Sequence, residues 1–183
     1  MNHLTNLFKL LQVTRTQPQY GYALSGLKKH ELSNLAEHHY LVAFIAWQLT
    51  DSLNSKGAKL NTEKVLALCM LHDLGELFGG DISRHYGLRN PKARKLAKTF
   101  EAENHKFLLK FFQGKGNNYK RLFAEIMEPK SDEAVVAHVA DYMECAHYLK
   151  YLDKLTKDDQ KVLRSGLRNK PRILKCGIWA IRI

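Results

Sequence analysis

Val65-Leu66-Ala67-Leu68-Cys69-Met70-Leu71-His72-Asp73-Leu74-Gly75-Glu76 is the stretch on which the fold turns. Seven apolar residues run straight into a His-Asp pair. Asn61 or Thr62 supplies an N-terminal cap. The spacing therefore predicts a helix that carries His72-Asp73 near its C-terminal end. An ionised Asp in apolar surroundings has to be paired, hydrogen-bonded or bound to a metal. A divalent cation would account for both side chains at once, and a metal site in a small globular chain points to hydrolysis.

The flanking sequence supplies the rest of a helical scaffold. Leu4, Leu7, Phe8, Leu10 and Leu11 mark a short amphipathic helix over 4–12. Residues 14–33, with Pro18, Gly21 and Gly26, read as an irregular loop. Ser33 or Asn34 caps a helix from Leu35 to about Leu53, with Val42, Ile45, Ala46 and Leu49 on one face and Glu37 in its first turn. Gly75, Gly79 and Gly80 loosen the chain before Asp81. Pro91 suits the first turn of a long charged helix reaching about residue 113. Gly114 and Gly116 form a turn, a short helix spans 119–127, and Pro129 ends it. Ser131-Asp132-Glu133 caps a helix from about 132 to 152, with acidic residues against its positive end. A further helix covers 157–167. The tail 173–183 is apolar and suits a short strand, a docked coil or a dimer contact. Alternating strand patterns are almost absent, so the expected class is an all-α bundle of about six to eight helices.

Length and composition bound the rest. At 183 residues the chain is expected to be one domain, with a core of about 5–152 and a C-terminal helix and tail over 153–183. The hydrophobic fraction of 45% and charged fraction of 26% are those of an ordinary globular protein. The formal net charge of +11 suits either a polyanion or the steering of a phosphorylated substrate. The cations are spread along the chain with no block of five or six, so a nucleic-acid partner is possible but not favoured. Cys69, Cys145 and Cys176 are far apart and odd in number, which excludes a CxxC clip or a disulfide framework and fits a reducing cytoplasm. The N-terminus MNHLTNLFKLLQ lacks the features of a signal peptide, and no apolar window is long enough to span a membrane.

His38 falls in the first half of one expected helix, His72-Asp73 late in a second and Asp141 midway along a third. Three helices of a bundle can aim such side chains at one interior point. Two imidazoles and two carboxylates suit Mn, Fe, Co, Ni, Zn or Mg, and leave positions open for water and a phosphate oxygen. Spacing alone does not choose between His38 and His39. Glu76 shares the helical face of His72 and Asp73 if the helix continues; it could then handle a water or a leaving-group proton, or simply be a solvated helix-end residue. Asp141 could equally make a helix-face ion pair. His85, His105, His138 and His147 read as structural or surface residues.

The joint order His38…His72-Asp73…Asp141 resembles the H…HD…D pattern of the HD-domain superfamily of metal-dependent phosphohydrolases. Ala36-Glu37-His38-His39-Tyr40-Leu41-Val42-Ala43 looks like its first-ligand segment, where an acidic residue precedes the ligand, which selects His38. Leu71-His72-Asp73-Leu74-Gly75-Glu76 with Gly80-Asp81-Ile82 resembles the HD-x-x-E…G-D-[IL] signature of the 5′-deoxynucleotidase-like branch. Glu125, Ser131-x-Glu133-Ala134 and Val139-Ala140-Asp141 extend the likeness, which covers roughly residues 5 to 152.

The resemblance implies a nucleoside 5′-monophosphate phosphohydrolase that uses a metal-activated water. His38, His72, Asp73 and Asp141 would bind one divalent metal ion, Glu76 would handle the water or the leaving-group proton, and Asp81 would meet the sugar or help position the nucleophile. The family loop Pro-Arg-x-Gly-aromatic reads here Pro18-Gln19-Tyr20-Gly21-Tyr22. Tyr22 fits the aromatic position and could stack on base or sugar. Gln19 replaces the Arg and offers neither charge nor a bidentate fork; Arg15 is near enough in sequence to substitute. His138 stands where the branch has Lys. A homodimer is implied by the resemblance and the apolar tail. The alternatives are a phosphodiesterase or nuclease on the same scaffold, and a non-catalytic nucleotide-binding regulatory protein.

Overall fold

Residues 2–112 and 116–168 are described by the structure, a computed structural model. Among them lie eight α-helices: α1 (Asn2–Leu11), α2 (Leu35–Asn54), α3 (Thr62–Leu71), α4 (Arg84–Arg89), α5 (Pro91–Leu108), α6 (Gly116–Met127), α7 (Asp132–Tyr151) and α8 (Lys157–Arg168). The described residues contain no strand; one isolated bridge joins Pro18 to Asn34. The all-α expectation holds. The apolar tail from residue 173, and Cys176 with it, lies outside the described residues.

Local chemistry explains most of the boundaries. The Asn34 side chain accepts from the Glu37 N–H at 3.0 Å while Glu37 Oε2 reaches back to the Asn34 N–H at 3.4 Å, a reciprocal cap that starts α2. Asn34, rather than Ser33, is therefore the cap. Asn61 accepts from the Lys64 N–H at 3.0 Å at the start of α3. Asn90 and Pro91 open α5, and Ser131 Oγ accepts from the Ala134 N–H at 3.2 Å to cap α7. The stretch 14–33, expected to be an irregular loop, instead carries short 3-10 turns at Tyr20–Ser25 and Lys29–Glu31 and the end of a third, Gln12–Arg15. Helix α4 carries no strong apolar period and was not anticipated from sequence.

The chain divides into two compact units, each made of two segments: residues 1–38 with 71–124, and residues 39–70 with 125–183. In the first unit Leu35, Leu74, Leu77, Leu108 and Tyr119 form a buried cluster, flanked by Leu10, Leu11, Leu71, Leu109 and Phe112. The second unit buries Val42, Ala46, Leu49 and Leu53 of α2, at helical spacing, together with Val65, Leu68 and Cys69 of α3. Along α7, Ala134 to Ala137, Val139, Ala140, Met143, Ala146 and Leu149 are buried, so this helix is apolar on most of its circumference. No helix among the described residues is long and apolar enough to cross a membrane.

Candidate metal centre

Helix α3 stops at Leu71, one residue short of the His-Asp pair. Asp73 lies outside the helical region, at φ −109° and ψ 12°, and a 3-10 turn, Leu74–Glu76, follows. The expectation that the helix carries His72-Asp73 is therefore corrected, and the reason is geometric. Successive side chains on an α-helix diverge by about 100°, so adjacent residues on it do not naturally face one point. Leaving the helix at residue 72 lets them.

They converge on His38. His38 Nε2 and His72 Nε2 are 3.0 Å apart. Asp73 Oδ2 lies 3.3 Å from each of them. The two rings are tilted by 47° with centroids 5.0 Å apart. His38 is fully buried, His72 nearly so, and the Asp73 side chain is 24% exposed. All three belong to the first unit. They are the one group of metal-ligating type found among the described residues.

The donor set fits a cation. Ligand atoms about 2.1 Å from one ion and at right angles about it stand about 3 Å from each other, which matches the 3.0 to 3.3 Å separations. The two Nε2 atoms and the carboxylate oxygen face one another closely enough for a single cation to be shared by all three. Imidazole and carboxylate are the donors that borderline and hard divalent ions take.

The other candidate residues are placed as follows. Glu76 sits on the 3-10 turn, half-buried, with its N–H donating to Asp73 O at 2.9 Å; the helical-face argument for it lapses because the helix does not continue. Asp81 accepts through Oδ2 from the Gly21 N–H, which ties the Gly80-Asp81 segment to the loop before α2. A Cβ at Gly21 would lie 2.8 Å from Asp81 Oδ1, so glycine is required there by the close approach. In that loop the Gln19 N–H donates to Ser33 O at 2.9 Å. The Gln19 side chain is buried and its Oε1 accepts no hydrogen bond among the described residues. Tyr22 is buried, whereas Arg15 is exposed and donates to Gln12 Oε1 at 2.9 Å. Asp141 lies midway along α7 in the second unit, half-buried, with Cys145 Sγ 3.6 Å from its Oδ1. His138 Nε2 donates to Ile126 O at 2.9 Å.

Sequence reasoning missed the support that α5 gives to the His-Asp turn. Asn104 Nδ2 donates to Gly75 O at 2.7 Å in a buried setting. His105 packs against the same glycine: a Cβ there would lie 2.5 Å from His105 Cδ2 and 2.7 Å from Glu101 Cγ. His105 is 1% exposed, shares a 2.7 Å hydrogen bond between Nδ1 and the Tyr119 hydroxyl, and stacks on Phe123. Burial drives its pKa down to about 3 against the opposing pull of Asp73, so the ring is neutral. Glu101 is pushed up to about 7, chiefly by burial and then by the Asp73 charge, with Lys98 opposing. Glu101, Asn104, His105 and Leu108 follow an i, i+3, i+4, i+7 pattern, the inward stripe of α5. Polar residues in that stripe were the signal available in sequence.

The second unit holds its own ion-pair network. Lys64 Nζ lies 2.9 Å from Glu125 Oε2 and 3.4 Å from Glu133 Oε2. Burial works against the Lys64 charge, but the two carboxylates outweigh it and raise its pKa. Glu133 also accepts from the Asn61 N–H, and Ser131 Oγ donates to Glu125 at 2.7 Å.

A family model described as HD domain matches residues 14–175. A 5′-deoxynucleotidase of Vibrio vulnificus is 34% identical over 124 residues, which are 67% of this chain and 63% of that protein. A 5′-deoxynucleotidase of Vibrio cholerae is 32% identical over 136 residues, 74% of this chain and 69% of that one. The matches thus span close to two thirds of these relatives' length. Among solved structures, a conserved hypothetical protein from Pyrococcus furiosus superposes with a TM-score of 0.73 at 23% identity, covering 94% of this chain and 93% of that one. A protein from Pyrococcus horikoshii gives 0.67 at 24% identity, covering 88% and 87%. These last two likenesses are of fold.

Proposed function

Because the chain belongs to the HD-domain family and is 5′-deoxynucleotidase-like within it, we propose that it is a metal-dependent phosphohydrolase that releases phosphate from nucleoside 5′-monophosphates. The observation that carries this reading is the convergence of His38, His72 and Asp73 on one point. In this reading those three residues, with Asp141 as fourth ligand, hold one divalent cation. When bound, the cation supplies Lewis-acid stabilisation of phosphoryl charge and acidifies water.

The protein's own residues do the remaining work. Glu76, set three residues past Asp73 by the 3-10 turn, takes or returns a proton at the attacking water or the leaving oxygen. Asp81, steadied by the Gly21 N–H, accepts from a sugar hydroxyl. Tyr22 lies against base or sugar. Gln19 and Arg15 take the place of a phosphate-gripping arginine, with Gln19 acting as a neutral hydrogen-bonding group and the exposed Arg15 as the charge. The protein works as a cytoplasmic homodimer.

The test joins elemental analysis with phosphate release on a panel of ribo- and deoxynucleoside 5′-monophosphates. Wild type is expected to carry about one equivalent of divalent metal and to turn over monophosphates. Glu76→Gln keeps the metal and loses turnover. Asp73→Asn and Asp141→Asn lose the metal. Unchanged metal content in Asp73→Asn refutes the centre, and unchanged content in Asp141→Asn refutes the fourth ligand alone. Turnover confined to phosphodiesters or oligonucleotides refutes the monophosphatase reading in favour of a diesterase or nuclease, and tight nucleotide binding without turnover refutes catalysis.

A further inference from the structure

The positive charge of this chain is not evenly placed. Residues 84–110, which comprise α4 and α5, hold eight Lys and Arg residues against two carboxylates. They thus carry about half of the net charge of +11 in a small part of the chain. One of those carboxylates, Glu103, is engaged by Lys106. The other, Glu101, points inward at Gly75.

The cations border a groove of about 620 Å³ between α4 and α5, wholly within the first unit. Its lining includes Leu88 and Pro91, the cations Arg94, Lys95 and Lys98, and the Glu103–Lys106 pair. Arg94, Lys95 and Lys98 are exposed and make no ion pair among the described residues. Along α5 the lining runs from Pro91 to Lys106, which is about 22 Å of helix. That is longer than one nucleotide. Unpaired cations held side by side repel one another and are stabilised by a partner that brings several negative charges at fixed spacing.

We propose that the α4–α5 groove is a binding site for single-stranded nucleic acid, with Arg94, Lys95 and Lys98 contacting successive phosphates and Leu88 and Pro91 lying under the bases. Among the described residues no aromatic side chain lines the groove, so base stacking contributes little and sequence preference is weak. Affinity comes from counterion release and falls steeply with salt. The site stands apart from the His38, His72 and Asp73 cluster in residues and chemistry, and does not depend on the phosphatase reading.

Fluorescence anisotropy with a labelled 20-nucleotide oligo-dT or oligo-U strand tests it, on the full chain, across a salt series. The wild type is expected to bind both strands with similar affinity and a steep log–log salt dependence. Arg94→Gln/Lys95→Gln/Lys98→Gln should lose at least about 10-fold in affinity at low salt and flatten the slope by about two to three. Circular dichroism and the melting temperature should stay those of wild type, because all three side chains are exposed. A charge-matched control on the second unit, Lys150→Gln/Lys157→Gln/Lys161→Gln, should bind as wild type does. The proposal fails if the control loses as much as the groove variant, or if neither strand binds. It fails equally if a nucleoside triphosphate binds as tightly as the 20-mer, or if anionic phosphatidylserine vesicles bind at the groove and oligonucleotide does not.

Discussion

Replacing Gly75 by alanine tests how the His-Asp turn is held. The residue does not have a positive φ, so the backbone tolerates a side chain and the cost is one of space alone. The new methyl would fall 2.5 Å from His105 Cδ2 and 2.7 Å from Glu101 Cγ. The imidazole has no free direction of retreat: it is 1% exposed, stacked on Phe123 at 3.4 Å between centroids and held by Tyr119 at 2.7 Å. Overpacking of a rigid site costs up to about 3 kcal/mol, and the stiffer unfolded chain of the alanine variant returns about 1 kcal/mol. The net loss is about 2 kcal/mol, or a melting temperature lower by about 4–8 °C for a chain of this size. Equilibrium urea denaturation gives the free energy directly. His105→Ala opens the space, so Gly75→Ala/His105→Ala should be more stable than the sum of the single effects by about 1–2 kcal/mol. A Gly75→Ala variant within about 0.5 kcal/mol of wild type, or a cycle with no coupling, refutes the claim that α5 grips the turn through this contact.

Four more outcomes are open to measurement. Glu101 is raised to about 7 in the fold, so the folded state keeps a proton that the unfolded chain releases above about 4.5; in metal-free protein stability should fall as pH rises from about 4.5 to 7 by roughly 2–3 kcal/mol, and Glu101→Gln should flatten that window in denaturant titrations. His105, lowered to about 3, acts oppositely: the unfolded chain takes up a proton below about 6.5, so stability falls as pH drops from about 6.5 toward 3, and an acid limb unchanged in His105→Gln would disprove it. Lys64→Met leaves Glu125 and Glu133 without the cation they share and should cost about 1–2 kcal/mol, discounted for partial exposure, with recovery on adding Glu133→Gln; absence of recovery rules out like-charge repulsion as the cause. Gly21→Ala sets a methyl 2.8 Å from Asp81 Oδ1 and should lower kcat/KM on a monophosphate about 10-fold with metal content kept, whereas unchanged kinetics would deny Asp81 a positional role.

Seven of the eight helices among the described residues were legible because their signals are local; α4, with no strong apolar period, was not. Caps at Asn34 and Ser131, the proline at 91 and apolar positions at 3.6-residue spacing all act within one or two turns of chain, and each left its mark in the sequence. The residues His38, His72 and Asp73 were also legible as types in order, since a buried His-Asp pair is costly without a use. Other features depend on residues far apart in sequence. The end of α3 at Leu71 is one: nothing in the run before His72 stops a helix, and the turn that follows brings His72 to His38, 34 residues away in the chain. The grip of Asn104 and His105 on Gly75 is another, joining residues 29 positions apart through one hydrogen bond and one missing Cβ. Sequence therefore fixed which chemical groups are available and which segments coil. Tertiary packing decided where α3 ends, that Asn104 and His105 close on Gly75, and that Gly21 meets Asp81, because those outcomes depend on distances through space between residues far apart in the chain.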